Sequence, residues 1–429
     1  MAGTKEPGHD VARILRRRRR ESRTRPGLHP RESTLKMLET EVLHPRDLCD
    51  EEAASWSAMQ AATPAFASPL LGPQFARAVG EVRGDARVAV FRRAGAAVGF
   101  LAHHRRPSGL GRPIGAPFSD YHALIAPPAE AVAPAEALAG AGLAAFRFSG
   151  LIDPPGAFAG AVASTAFGYR IVIDGSPQAY LRGVCAGSRN RAKNYRRYRG
   201  KLERDFGPLR LVGEVQPLAL ARLLDWKAEQ IARTGITDFL AAPWTRGLLA
   251  RLFEARDGAF QGLQLSLYAG ERQVCSHFGI RLGAHYHPWI SASDPAMRAY
   301  SPGFVHQWMA VEAMGELGLS TYDLGPGFGH WKALFASGGG QAIGAGLAAA
   351  DSAAGRLASS CESLWRLPAV ARIEAVGRLR RRLDQIALSQ LTLGGRVAGM
   401  AHAIATYDRR NATRGPKQPL APHLARRVA

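Results

Sequence analysis

The sequence predicts an α/β protein of the α+β kind: two tandem units, each a mixed sheet flanked by helices, then a helical basic extension. Three observations carry this. Two meanders of alternating apolar residues, "ARVAVFRRAGAAVGFLAHHRR" (86–106) and "LQLSLYAGERQVCSHFGIRLGAHYHPWISAS" (263–293), each follow a helical region and precede a further helix or extended segment. The chain of 429 residues, 46% hydrophobic, is long enough for two ordinary domains. The third is the charge, which is concentrated at the ends.

Residues 1–36 hold eleven Lys/Arg against four Asp/Glu, and residues 351–429 hold fourteen against five. Within the middle, Arg182 to Arg210 has ten basic and two acidic residues, so the remainder is close to neutral. The pI near 10.7 therefore describes the ends more than the fold. The boundaries expected are a disordered Arg-rich leader (1–36), a first domain (37–175), a second (176–348) and the extension (349–429). Met37 stands just ahead of "TEVLHPRDL", the first expected strand, and is an alternative start of translation.

Taken in order, the first meander has two strands joined by an Ala/Gly turn, and "APPAEAVAPAEALAGAG" (126–142) reads as an alanine-rich helix with a proline-bearing lead-in. In "SRNRAKNYRRYRGKLERDF" (188–206), Tyr195, Tyr198, Leu202 and Phe206 fall on one helical face and the basic residues on the other. That basic face has three readings: solvated surface, an anion site for a phosphate-bearing substrate, or nucleic-acid binding. Nothing in it resembles a known nucleic-acid-binding motif. The second meander has three strands. "YSPGFVHQWMAVEAMGELGLSTYDLGPGFGHWKALF" (300–335) then gives turn, helix and strand. Pro302 suits a first helical turn, Gly303 permits close approach, and Gly318 ends the helix. A helix start exposed beyond a strand end can hold a pyrophosphate on backbone amides alone. After 350 the chain reads as one or two amphipathic helices.

The chain has no secretory signal and no 18-residue uncharged apolar span, so a cytoplasmic location is expected, with peripheral membrane contact through the basic ends. Cys49, Cys185, Cys275 and Cys361 lack C-x-x-C spacing, which argues against zinc and against a disulfide framework. His277, His285, His287 and His306 raise the question of a metal. His285 and His287 share a strand face, but no carboxylate stands at a helpful spacing, so no metal is expected. His277, in the middle strand, is a candidate general base beside the plainer reading of a core histidine.

The segment "HYHPWISASDPAMRAYSPGFVHQWMAVEAMGELGLSTYDLGPGFGHWKALF" resembles the acetyltransferase-like domain of CelD/BcsL-type proteins, GNAT-superfamily members associated with bacterial cellulose and exopolysaccharide biosynthesis. The matching features are Asp294-Pro295, Tyr300-Ser301-Pro302-Gly303, Tyr322-Asp323 and the Gly-rich turn before Trp331-Lys332. "YLRGVCAGSRNRAKNYRRYRGKLE" (180–203), "WKAEQIARTGITDF" (226–239) and "GAPFSDYHALI" (115–125) look like that family too. The chain is more distantly similar to FemABX aminoacyltransferases, which pair two GNAT-like folds.

The resemblance implies two tandem GNAT-like domains and transfer of an acyl group from a thioester such as acyl-CoA, as co-substrate, to an amine or sugar-linked acceptor. It implies catalytic roles for Lys332, as oxyanion or phosphate contact, and for Asp323, as base or orienting group, with His277 beside them. Ser301, Gly303 and Phe304 would bind the donor. Arg189, Arg196, Lys227, Gln230, Asp294 and Tyr322 would bind substrate. The usual pyrophosphate loop of the superfamily is absent, and "YSPG" stands in its place. Two rivals follow: an aminoacyl-tRNA donor gripped by the basic helix, or a non-catalytic adaptor of a polysaccharide synthase.

Overall fold

Apolar alternation organises the chain from its first strands, β1 (Glu39–Leu43), β2 (Ala86–Arg93) and β3 (Ala96–Arg105). In β2, Ala86, Val88 and Val90 enter one core while Ala89 and Phe91 enter another, because successive side chains point to opposite faces. The structure is a computed structural model that describes residues 37–401, apart from 107, 131, 187–188, 214, 235–237, 328–329, 337–339, 368 and 370–371. The expected leader and the last part of the extension lie outside the described residues.

The remaining strands of the first half are β4 (Leu110–Pro113), β5 (Leu124–Ile125), β6 (Ala145–Leu151) and β7 (Val162–Val172). The second half supplies β8 (Leu209–Gly213), β9 (Arg256–Asp257), β10 (Phe260–Ala269), β11 (Arg272–Leu282), β12 (His285–Ser293), β13 (Thr321–Pro326) and β14 (Gln341–Ala349). All fourteen form one mixed sheet, ordered β1-β2-β3-β4-β6-β14-β7-β13-β12-β11-β10-β8, with β5 on β3 and β9 on β10. Each half runs as antiparallel strands that end in a parallel pair, β4 with β6 and β12 with β13. The halves then exchange strands. β7 pairs with β13 (Ile171 opposite Tyr322), β14 pairs with β6 (Arg147 opposite Leu347), and the two exchanged strands pair with each other.

The helices are α1 (Asp50–Ala62), α2 (Pro73–Val82), α3 (Pro134–Gly140), α4 (Pro177–Ala186), α5 (Arg189–Phe206), α6 (Pro217–Thr234), α7 (Pro243–Glu254), α8 (Pro302–Ala313), α9 (His330–Phe335), α10 (Ala353–Arg366) and α11 (Glu374–Ser389). A parallel pair needs a crossover, and α3 and α8 lie in the two crossovers. One core is shared: Phe75, Phe118 and Tyr121 of the first half pack with Trp244, Phe278 and Ile280 of the second. A second core, with Tyr286, Tyr322, Val305 and Trp308, lies on the other face of the second half. In α5, Tyr195 and Leu202 are buried and Tyr195 stacks on Trp308 at 4.5 Å, so its basic face points outward as the periodicity predicts. The extension docks through its Glu362 on Arg147 at 2.5 Å, a carboxylate that Arg380 within the extension also holds, and through Trp244 donating to the Ser389 carbonyl at 3.0 Å. The four cysteines are free, and among the described residues no helix is long and apolar enough to cross a membrane.

β11 and β12 shift register between Phe278 and Gly279, where a Cβ on Gly279 would lie 2.0 Å from the His287 carbonyl oxygen. Gly279→Ala is therefore expected to cost about 3 kcal/mol, because backbone cannot yield as a side chain does. The loss is read as a lowered urea midpoint at unchanged slope; an unchanged midpoint would refute it.

Candidate active site

β12 and β13 are paired only at His285 with Thr321 and Tyr286 with Tyr322. Beyond those two positions they part, and Pro288 just ahead removes a ladder donor from β12. The fork opens on a cavity of about 340 Å³. Ser291–Ser293 of β12 line one side, and Phe335 of α9, which follows β13, lines another. Gly303, Phe304 and Gln307 in the first turns of α8, Gln230 of α6, and Cys275 and His277 of β11 complete it. A second cavity of about 230 Å³ shares Gln230, Ala292 and Ser293 with the first and carries Arg233 and Arg298. The two form a groove, apolar and thiol-bearing within and cationic outside.

Each wall has a local cause. Asp294 accepts from the Ala296 N–H at 2.9 Å and pairs with Arg272 at 2.8 Å, so it fixes the turn that follows β12. Ser301 is left-handed (φ 50°, ψ 50°), uncommon for a residue with a side chain, and its carbonyl accepts from Phe304 and Val305. Pro302 then opens α8 as expected. A Cβ on Gly303 would meet nothing within 4 Å, so this corner is open space.

His277 is buried and its Nδ1 lies 2.6 Å from the Tyr322 hydroxyl. Burial, reinforced by His306 and Lys227, holds its pKa well below the usual histidine value, so the ring is neutral. His306 lies beside it, ring centres 4.0 Å apart, with Nε2 on the Leu265 carbonyl at 2.9 Å. Cys275, His277 and His306 are the group, among the described residues, whose ligand atoms come close enough to hold a metal ion. Burial pushes the Cys275 thiol up, so it is a thiol, not a thiolate. Lys227 reaches the Ser291 carbonyl at 3.3 Å, and burial lowers its pKa.

The opposite face of the fork is charged. Asp323, the first residue of β13 beyond the paired ones, is fully buried. It accepts from the Tyr121 hydroxyl at 2.8 Å, from Arg170 Nε at 3.2 Å and from the Gly325 N–H at 2.8 Å. His285 Nε2 lies 3.4 Å and His287 Nδ1 3.6 Å from its oxygens. Burial alone would raise its pKa, but the two histidines hold it well below the usual carboxylate range. His287 Nε2 bonds Asp120 Oδ2 at 3.0 Å. Burial would lower the pKa of His287, but Asp120 and Asp323 together raise it to about 9, so the ring is a cation. Burial lowers the pKa of His285, which stays neutral. Lys332 donates to the Pro326 carbonyl at 2.7 Å and the Gly325 carbonyl at 3.4 Å. Burial lowers its pKa against the pull of Asp120 and Asp323.

The fork thus gathers His277, Tyr322, Gly303, Phe304, Gln230 and Lys227 on one side, and Asp323 and Lys332 on the other. Ser301 and Asp294 shape the adjoining turn. Arg196 is exposed on α5 and does not line the groove, and the side chain of Arg189 lies outside the described residues. Asp120, Arg233 and Arg298 were not singled out in the sequence, and His306 was weighed there only as a metal ligand. Asp120 lies in the "GAPFSDYHALI" stretch, Arg233 in "WKAEQIARTGITDF" and Arg298 in the segment that begins "HYHPWISASDPAMRAYSPG", all quoted above for the family resemblance.

Residues 189–333 match the family model for an acetyltransferase (GNAT) domain. The chain carries a GNAT-superfamily acetyltransferase domain. The matched segment runs from the start of α5 into α9 and contains the lining of the first cavity except Phe335. No curated protein matches the chain. Among solved structures the chain is similar to FemX, at 12% identity over 72% of this chain and 96% of that one, with a TM-score of 0.47. It is also similar to the C-terminal (DUF2156) domain of a putative lysylphosphatidylglycerol synthetase from Agrobacterium fabrum (14% identity, 75% and 98% covered, TM-score 0.43). A tandem GNAT protein from the clavulanic acid biosynthesis pathway is a third (14%, 67% and 89%, 0.38). At such identities the likeness is one of fold alone.

Proposed function

We propose that this GNAT-type protein is an N-acyltransferase that moves an acyl group from an acyl-CoA-like thioester to an amine, with polysaccharide biosynthesis as its setting. The observation that carries the reading is the groove at the β12–β13 fork, with neutral His277 at its inner end and Arg233 and Arg298 at its outer end. Such a groove suits a donor that is anionic at one end and a thioester at the other. In the transfer the amine nitrogen attacks the thioester carbonyl, the C–N bond forms, the C–S bond breaks, and a thiol leaves. The sulfur departs as a thiolate that solvent protonates, and neutral His277, with Nδ1 on the Tyr322 hydroxyl, is a hydrogen-bonding group at the inner end of the groove. Lys332 and Asp323 hold the geometry of β13 at the fork and the charge around it. The polysaccharide setting rests on the family resemblance of 285–335.

Titration of the full chain with acetyl-CoA and longer acyl-CoAs, by calorimetry and thermal unfolding, tests this. A saturable shift is expected, about 2.7 kcal/mol at a hundredfold excess over the dissociation constant. It should vanish in Gly303→Trp, whose side chain would fill the open corner rather than disturb packing. No shift with any acyl-CoA would overturn the reading and favour an aminoacyl-tRNA donor or an adaptor.

A further inference from the structure

His277 and Tyr322 serve the donor face of the fork. The other face carries a second constellation that needs a residue from the first half of the chain. His287 and Asp323 are the first residues of β12 and β13 beyond the paired positions, and they face away from Tyr286 and Tyr322. Asp120 reaches them from the segment after β4. Its side chain is 34% exposed, whereas those of His287 and Asp323 are 0% exposed. The carboxylate that a solute can touch is therefore that of Asp120, and the two buried groups stand behind it.

We propose that Asp120 is the catalytic carboxylate for the acceptor: it receives the proton of the attacking primary amine in a subsite at the junction of the two halves. The inference rests on the acyl-transfer reading above. One oxygen, Oδ2, is fixed by His287 at 3.0 Å, while among the described residues Oδ1 has no hydrogen-bond partner. Asp323, which Tyr121 and Arg170 hold, stands 3.6 Å from His287 Nδ1 as the second counter-charge of the ring. A charged group positioned by an oriented histidine and a buried carboxylate is pre-organised for proton transfer, because little has to move when charge develops.

The backbone around Asp120 is built for this placement. Gly325 has φ +70°, and a Cβ there would stand 2.9 Å from Asp120 Oδ2, so glycine lets the carboxylate approach β13. A Cβ on Gly150 would lie 2.2 Å from the Asp120 carbonyl oxygen. Phe118, two residues earlier, packs edge-on against Phe239, Trp244 and Trp289 of the second half. The loop is thus seated in both halves, and Asp120 cannot swing out of the fork without unpacking aromatic rings. In the step itself the amine nitrogen bonds to the thioester carbon and loses one proton to Asp120. The carbonyl re-forms, the C–S bond breaks, and the sulfur leaves as a thiolate. Solvent then takes the proton from Asp120 and gives one to the thiolate, which restores Asp120 and leaves neutral His277 unchanged.

The test uses the full chain with acetyl-CoA as donor and n-propylamine or glucosamine as acceptor, reading thiol release, with donor affinity measured separately. Asp120→Asn is expected to lower amine-dependent kcat at least ~100-fold while donor Kd stays within about twofold, with partial recovery in Asp120→Glu. His287→Gln, a positioning change, should lower kcat and displace the pH profile without changing donor Kd. An Asp120→Asn variant that keeps more than about a tenth of the rate would overturn the proposal, as would parallel loss of donor binding. If the wild type binds no thioester, the acyl-transfer reading fails and the subsite is judged without a donor. The same arm applies if neither amine is acylated. In nitrogen-15 histidine spectra, with His287 assigned from His287→Gln, propylamine should shift the His287 signals in the wild type and not in Asp120→Asn, and propanol should shift neither. No shift, or an equal shift with the alcohol, overturns the subsite.

Discussion

Asp323→Ala is expected to lose about 4 kcal/mol of folding stability, because it leaves the His287 cation buried with one carboxylate instead of two. It also leaves the Tyr121 hydroxyl and Arg170 Nε without their acceptor. Asp323→Asn keeps the shape and an oxygen for Tyr121 but removes the charge, so its cost is smaller. Removing the cation as well should recover part of the loss: Asp323→Ala combined with His287→Gln is expected to be less destabilised than the sum of the single changes. Urea unfolding of the four proteins gives the answer. A single-variant cost below about 1 kcal/mol, or strict additivity, would show that the carboxylate and the ring are not coupled. The same result bears on catalysis: loss of activity in an Asp323 variant is informative only after its folded fraction has been measured.

A second large effect is expected in acid. His103 and His104 are held near pKa 4, His122 near 3 and His306 near 4, in each case first by burial, and His277 is held well below its usual value. All five are neutral in the fold. In the unfolded chain each takes up a proton near pH 6.5, which the fold does not until pH 4 or lower. The unfolded state therefore binds more protons as the pH falls, and the stability present above 6.5 is lost between about 6.5 and 4. A displacement of this size is worth up to about 3 kcal/mol per histidine, so two or three are enough to unfold a domain of ordinary stability. Asp323 and Glu362, held low, give stability that is full above the ordinary carboxylate range and add a further loss only as the pH falls below about 4. His287 works in the other sense. Its pKa of about 9 gives stability that is full below 6.5 and is lost as the pH rises through 9. Stability should thus peak near neutrality, fall steeply below pH 6 and more gently above pH 8. Urea midpoints between pH 4.5 and 9.5 check this, and a flat profile from 4.5 to 7 would defeat it. His122 is the sharpest single test, since it packs edge-on against Phe146 with both ring nitrogens unpartnered. His122→Phe should soften the acid limb and leave the alkaline one in place.

Much of the fold is legible in local pattern. The strands at 86–93 and 96–105, the three at 260–293, the helix at 189–206 with its buried tyrosine, and the Pro302 helix start all follow from period and punctuation. These are short-range consequences of which side chains can be buried together, and neighbouring residues carry that information. The lining of the cavity at the fork is legible for the same reason. His277, Gly303 and Phe304 sit on elements whose order along the chain, strand then turn then helix, already brings them together.

What periodicity does not specify is which distant segment covers a given face. The exchange of β7 and β14 between the halves depends on the register of strands that are remote in sequence. The setting of Asp323 depends on it too. Its partner Tyr121 lies 202 positions away, and His287 joins Asp120 from 167 positions away. Read along the chain, the two histidines of β12 lacked a carboxylate at useful spacing. Folded, they have two, because a one-residue change of register would turn every side chain of β13 to the other face. The sequence by itself determined the strands, the helices and the order of elements that line the groove, because burial period is a local property. The charged face of the fork was decided only when sheet register and a loop from the other half fixed which groups share a low-dielectric space, where a lone charge is costly and a paired one is held.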